Sequence, residues 1–334
     1  MPKPTFSAIA RQAGVGTATV ERVLNGRGSV RPATAAKVIA AARLLDYPKR
    51  LPEVHRGLLR IEVILVRPET TFFQRLSRAF DRINATLDPS VRVHRTFMEE
   101  TDPGGIAARV ASTEMRRAGL ILAVPDHPAI RQAVAAAAAS GLPVVHIVTR
   151  AAEGVGDLVS IDNYAAGRTA ALFLSRMQAR SGTVMAICHP IYQVHRERMR
   201  GFSDFFAERP REGFAFRWIG FGRDEARRCG DLLFQALEGW TDLVGLYNVG
   251  AGNAALADVL RRHPRGRQVF FVGHELTERT AAALREGVMS VVLDQAPEAQ
   301  ARRATDLILK RIGLLEMELD TSPIRFITLT AENV

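Results

Sequence analysis

Cysteine is nearly absent: Cys188 and Cys229 are the only two in 334 residues. They stand far apart and outside any metal-ligand spacing. That sets aside a zinc framework or a disulfide scaffold and leaves two ordinary thiols in a reducing compartment. No run of eighteen apolar residues lacks charge, so no membrane span is expected. The amino terminus, Met1-Pro2-Lys3-Pro4, passes at once into polar sequence without the apolar core of an export signal, and a cytoplasmic location is the expectation. Catalytic signatures are missing too: no HExxH pair, no nucleophile elbow, no phosphate-binding glycine loop. His127, His146, His189, His195 and His274 are scattered. No catalytic residue, no metal and no cofactor is expected.

Positive charge is present but unevenly placed. Residues 1–60 hold eleven Lys/Arg against three acids, which is +8 of the chain's net +10. The other 274 residues are almost balanced. A small basic head on a large neutral body is the footprint of a polyanion-binding module.

The head is patterned for folding. Thr5 can cap a short helix in which Phe6, Ile9 and Ala13 share a face, and Gly14 stops it. The turn Gly14-Val15-Gly16 leads to a second helix with Val20, Val23 and Leu24 on one face. Pro32 opens a third, whose apolar face is Val38, Ala41, Leu44 and Leu45, before Tyr47-Pro48 ends it. Two short helices about a glycine turn, covered by a third, describe a helix-turn-helix domain over residues 1–47. Its second helix is the candidate reader of the major groove. Thr17 and Ala18 stand at its start, with Arg22 one turn on and able to grip guanine bidentately. Thr5, Ser7, Thr19, Asn25 and Arg31 are candidate phosphate contacts, the lesser alternative for Thr5 and Thr19 being that they merely cap helices.

The run TFSAIARQAGVGTATVERVLNGRGSVRPATAAKVIAAARLLDYP resembles the head of the lactose-repressor (LacI/GalR) family of transcription regulators. Gly16 and Glu21 depart from that pattern, standing where the family usually has serine. A carboxylate at Glu21 would be repelled by phosphate unless it accepts from a cytosine amino group. Residues 48–60, PKRLPEVHRGLLR, read as a basic hinge linker. In the resembled family a hinge helix forms there and a leucine wedges into the minor groove. Leu51 is the candidate wedge, although Pro52 and Gly57 disfavour a regular helix.

In residues 61–334, apolar runs alternate with amphipathic stretches. They start at Ile61, Val91, Leu120, Val144 and Leu158, and again at Thr183, Phe214, Leu243, Gln268 and Ser290. Such βα alternation predicts parallel sheets covered by helices, in two groups. The expected fold is therefore an all-α helix-turn-helix head followed by a two-lobed α/β domain with parallel sheets. One lobe would span 61–160 and 294–320, the other 161–293 and 321–334. Ligands of such sheets lie beyond the carboxyl ends of the strands, here between the lobes. The residues following the strands are Phe72 and Phe73, Asp126, Thr149 with Arg150, Arg198, Phe221, Asn248, Glu275 and Gln295. Rings that stack on C–H faces, with planar polar groups to pair hydroxyls, suit a polyol. Asp126 can equally be a helix cap.

This body also resembles the effector domain of the same family, which is similar to ribose-type periplasmic sugar-binding proteins. The resemblance implies a type I periplasmic-binding-protein fold in which Phe73, Arg150, Arg198, Asn248, Glu275 and Gln295 line the cleft. Thr149 stands where sugar binders usually carry aspartate, and Glu275 is one methylene longer than usual, so a sugar, a polyol or a sugar acid all fit. A homodimer on a near-palindromic operator duplex, acting as a repressor, is the expected assembly. A transport protein without DNA function, and a regulator whose body only dimerises, are the alternatives; the basic head opposes the first and the polar strand ends oppose the second.

Overall fold

The computed structural model describes residues 4–25, 30, 32–48 and 58–334. Arg31, Leu51 and most of the expected hinge lie outside the described residues. The chain divides into two compact units, residues 1–59 with 88–92 and residues 60–87 with 93–334.

The first unit contains three helices, α1 (Phe6–Ala13), α2 (Thr17–Leu24) and α3 (Pro32–Leu44). The Thr5 hydroxyl accepts from the Ala8 amide at 3.2 Å and caps α1. Gly14 closes it in a left-handed conformation, φ 64°. Gly16 heads α2 without a side-chain cap. Ile9, Val20, Val23, Val38, Ile39 and Ala42 form the buried centre, edged by Phe6, Leu45 and Tyr47. Leu44 is not part of it. It is 73% exposed, because the buried face of α3 runs through Val38, Ile39, Ala41 and Ala42, and Leu44 falls on the far side.

The second unit is built on two sheets. The first holds β1 (Leu59–Val66), β2 (Val91–Met98), β3 (Gly119–Ala123), β4 (Val144–Ile147) and β5 (Asp157–Val159) in the order β2-β1-β3-β4-β5. β1, β3, β4 and β5 pair in parallel, with Ile61 opposite Gly119 and Leu65 opposite Ala123. Residues 61–66 of β1 are all buried, as a strand covered on both faces requires. The one charge among these six, Glu62, is held by Arg109 at 2.7 Å, Arg117 at 3.0 Å and the Thr96 hydroxyl at 2.6 Å, the partnering a buried carboxylate needs.

The second sheet holds β6 (Gly182–Cys188), β7 (Phe214–Phe221), β8 (Leu243–Asn248), β9 (Phe270–His274), β10 (Val291–Asp294) and β11 (Ile327–Leu329), ordered β11-β10-β9-β8-β6-β7. Only β11 pairs antiparallel, to β10. Three residues long and exposed at Ile327, it carries no strand signal in the sequence. Helices α4 (Thr71–Thr86), α5 (Pro103–Ala111) and α6 (Pro128–Ala139) belong to the first lobe. Helices α7 (Asn163–Met177), α8 (Gln193–Glu208), α9 (Ala226–Gly239), α10 (Asn253–Arg262) and α11 (Glu278–Arg285) belong to the second. Helix α12 (Pro297–Arg311) follows β10 yet packs on α4, β3, β4 and β5, so the chain crosses between lobes there. Asp294, assigned from sequence to the first lobe, pairs with Ile327 inside the second sheet; the crossing comes one residue later. Among the described residues no helix is long and apolar enough to cross a membrane.

Candidate functional site

On the head, α2 presents Thr17, Ala18, Glu21 and Arg22 to solvent, with Asn25 just beyond its end, while Val20 and Val23 point inward. The spacing i, i+1, i+4, i+5 makes one continuous stripe. Thr19 is half-buried. The Arg22 guanidinium folds back, Nε donating to the Ala18 carbonyl at 3.2 Å. Ser7 is exposed on α1; Thr5 is exposed as well but its hydroxyl is engaged in capping.

In the second unit a cleft of about 850 Å³ opens between the two sheets. Six non-glycine residues of this unit have positive φ: Arg67, Val148, Arg223, Asp224, Glu275 and Ala296. Each lies within three residues of the end of β1, β4, β7, β9 or β10. Such backbone is costly for residues with a Cβ, and it concentrates where side chains must be turned into a site. Val148, a β-branched residue at φ 71°, lines the cleft with Thr149.

Among the described residues Arg198 is the largest fully buried side chain. It projects from α8, whose backbone is pinned against α7. A Cβ at Gly167 would collide with the Arg198 carbonyl, and a Cβ at Gly201 with the Tyr164 carbonyl, so both positions need glycine for the helices to approach. The guanidinium gives Nε to Asn163 Oδ1 and Nη1 to the Val249 carbonyl, both at 2.8 Å. Asn163 passes the link on, its amide donating to the Ser160 hydroxyl at 3.2 Å and the Ile161 carbonyl at 3.3 Å in the crossing between lobes. The Ser160 hydroxyl in turn donates to the Val148 carbonyl at 2.8 Å.

Opposite, Glu275 accepts from the Gln295 amide. Burial, reinforced by Asp294, pushes the Glu275 carboxyl up to about 8. Burial drives His195 down to about 4, leaving a neutral ring whose Nδ1 accepts from the His189 amide at 3.1 Å. His189, Tyr192 and His195 stack edge to face, as do Phe72 and Phe73, whose ring centroids are 5.4 Å apart.

Contacts cross the cleft. Arg67 reaches from the first lobe to Asp224 Oδ2 at 3.1 Å and to the Tyr192 hydroxyl at 3.3 Å. Tyr192 itself donates to Glu100. Arg75 of α4 donates to the Leu276 carbonyl at 2.9 Å and pairs with Asp294, which also accepts from the Leu276 and Ala296 amides.

Of the residues singled out by sequence, Phe72, Phe73, Asp126, Arg198, Glu275 and Gln295 line the cleft. Asp126 does so at an exposed edge, paired with Arg131 at 2.8 Å, and it is His127 that caps α6. Three others do not line it. Arg150 turns aside and donates to the Gly156 carbonyl at 3.3 Å. Phe221 ends β7, the outermost strand of its sheet, and is half exposed. Asn248 lies beneath the cleft, its amide spent on Gly250, Ala251 and Asn253. Sequence reasoning missed Arg67, Arg75, Glu100, Tyr192, His195 and Asp224. Arg67 directly follows β1 and Asp224 lies three residues past β7, so inspecting every polar residue after each strand would have found both. Arg75, one turn into a helix, carries no such signal.

The family model described as "Periplasmic binding protein domain" matches residues 106–313. That described as "Bacterial regulatory proteins, lacI family" matches residues 5–49. An uncharacterized HTH-type transcriptional regulator in the aml 5′ region of Streptomyces limosus is 46% identical over 70 residues, which are 20% of this chain and 19% of that protein. The matched stretch thus spans about a fifth of that relative's length. Among solved structures, a periplasmic solute-binding protein of an ABC transporter from Actinobacillus succinogenes, with bound D-allose, has a TM-score of 0.72 at 18% identity, covering 82% of this chain and 98% of that one. A solute-binding protein from Burkholderia graminis, in complex with D-arabinose, also gives 0.72 at 18% identity, covering 83% and 96%. At that identity the likeness establishes the fold.

Proposed function

The chain belongs to the periplasmic binding protein domain family and carries a head of the lacI-type bacterial regulatory family, and from this we propose that it is a sequence-specific transcription regulator controlled by a small hydroxylated molecule. The observation that carries the reading is the union, in one chain, of a polar α2 stripe with a cleft holding buried polar atoms that no protein group satisfies. Those atoms are Arg198 Nη2, Glu275 Oε2 and Gln295 Oε1. Native interiors rarely leave such groups unsatisfied, so they are the contacts a ligand completes.

The regulator acts in the cytoplasm as a homodimer, one head per half-site of a near-palindromic operator, and represses. Thr17, Ala18 and Arg22 read bases, Leu51 enters the minor groove, and Thr5, Ser7, Thr19, Asn25 and Arg31 hold phosphates. The effector, a sugar, polyol or sugar acid, binds between the lobes, and its chemistry is not altered there. Effector binding shifts the lobe equilibrium and with it the spacing of the heads; by linkage, DNA alters effector affinity by the same factor. The test is selection of binding sites from a random duplex pool with the full chain, read by sequencing. Enrichment of a two-fold symmetric site is expected. Recovery of no preferred sequence, at any salt concentration, would remove the reading.

A further inference from the structure

The charge at the floor of the cleft does not balance. Arg198 is 2% exposed, and a guanidinium keeps its proton at any physiological pH. Yet among the described residues no carboxylate lies within ion-pairing distance of it; its partners are an amide oxygen and a backbone carbonyl. An isolated buried charge is strongly unfavourable unless something pairs with it. The neighbouring acids are committed elsewhere, beginning with Glu197, the residue before Arg198 on α8, which accepts from the Gln193 amide at 2.9 Å. Asp294 is consumed by Arg75 and two backbone amides. Asp224 is held by Arg67 and by the Ala251 amide at 3.0 Å. Glu275 faces Arg75 at 3.9 Å and accepts from Gln295, and its raised affinity for a proton leaves it largely neutral at pH 7. Of the first-lobe residues lining the cleft, Thr149 brings no charge, Glu69 and Glu100 are engaged by Arg67, and Asp126 is paired with Arg131.

We propose that the effector supplies the missing negative charge: it is a polyhydroxylated carboxylic acid whose carboxylate pairs with Arg198 Nη2 and whose hydroxyls donate to Gln295 Oε1. This rests on the cleft being the effector site and narrows its ligand to one chemical class. Nη2 carries two N–H groups for a carboxylate to accept from. A neutral sugar would leave the guanidinium buried without a counter-charge.

The test is calorimetric titration of the full chain with matched pairs that differ in charge: D-galacturonate against D-galactose, D-glucuronate against D-glucose, and D-gluconate against D-glucitol. Acetate and inorganic phosphate serve as anion controls. At least one acid is expected to bind about tenfold or more tightly than its neutral partner, with the difference lost in Arg198→Gln. The wild-type comparison stands even if that variant fails to fold. A neutral member binding as tightly as its acid, phosphate alone matching the acids, or no binding by any acid would each overturn the proposal. Neutral sugars that bind and alter operator affinity would refute the charge argument and leave the regulator reading intact. Acid-selective binding by a chain that never engages duplex DNA would do the reverse.

Discussion

At Glu275 burial and Asp294 favour the protonated carboxyl, while Gln295, Arg198 and Arg75 favour the ionised one; burial prevails. The carboxyl titrates near 4.5 when unfolded and near 8 when folded. Between those values the folded state holds the extra proton, so raising the pH weakens folding across that window. Buried His195 opposes this on the acid side, because between 6.5 and about 4 only the unfolded ring takes up a proton and folding weakens as the pH falls. Comparing Glu275→Gln with wild type isolates the carboxyl: thermal unfolding midpoints should fall less steeply from pH 5 to 8 in the variant. Parallel curves would show that Glu275 ionises normally. On the head, Arg22→Ala should cost about 1–3 kcal/mol on the selected operator and relax one base position, measured by fluorescence anisotropy. An equal loss on random DNA would make Arg22 a phosphate contact. Glu21, exposed beside it, should favour cytosine; if Glu21→Gln selects an unchanged site, it reads nothing.

At the scale of elements, the α7–α8 crossing sets where Arg198 stands. Gly167→Ala inserts a methyl against backbone rather than a flexible side chain. Overpacking there should cost about 1–3 kcal/mol in urea unfolding and lower effector affinity together. Retained affinity would separate the crossing from the site. The same elements show what the sequence makes legible. Buried parallel strands announce themselves as apolar runs, and all ten expected strands correspond to observed ones. β11 does not, because three residues, only the last of them buried, are too few to show a periodicity. Leu44 misleads for a related reason: the side of a helix that is buried depends on its neighbours as well as on its own pattern. In the cleft, residues that follow a strand could be nominated but not oriented. A positive φ at Val148 turns the chain so that Thr149 faces inward and Arg150 does not, and no sequence rule foretells that for valine.

For the molecule as a whole, the lobes are joined through the cleft as well as around it. Arg67, Tyr192, Asp224 and Glu100 form a mixed ionic and hydrogen-bonded bridge, with Arg67 and Asp224 mostly shielded from water. Arg67→Ala should shift the protein toward separated lobes. Small-angle scattering without added sugar should report a larger radius of gyration than wild type; identical curves would mean that the crossing segments alone set the angle.

That bridge has a kinetic consequence. Because its partners line the cleft and tie the lobes together across it, a molecule entering there is expected to wait for the two halves to part. Observed affinity is then the intrinsic value diluted by the fraction of time the gap stands open. Association should therefore level off at high solute concentration, at the frequency with which Arg67 lets go of Asp224, instead of climbing with every added collision.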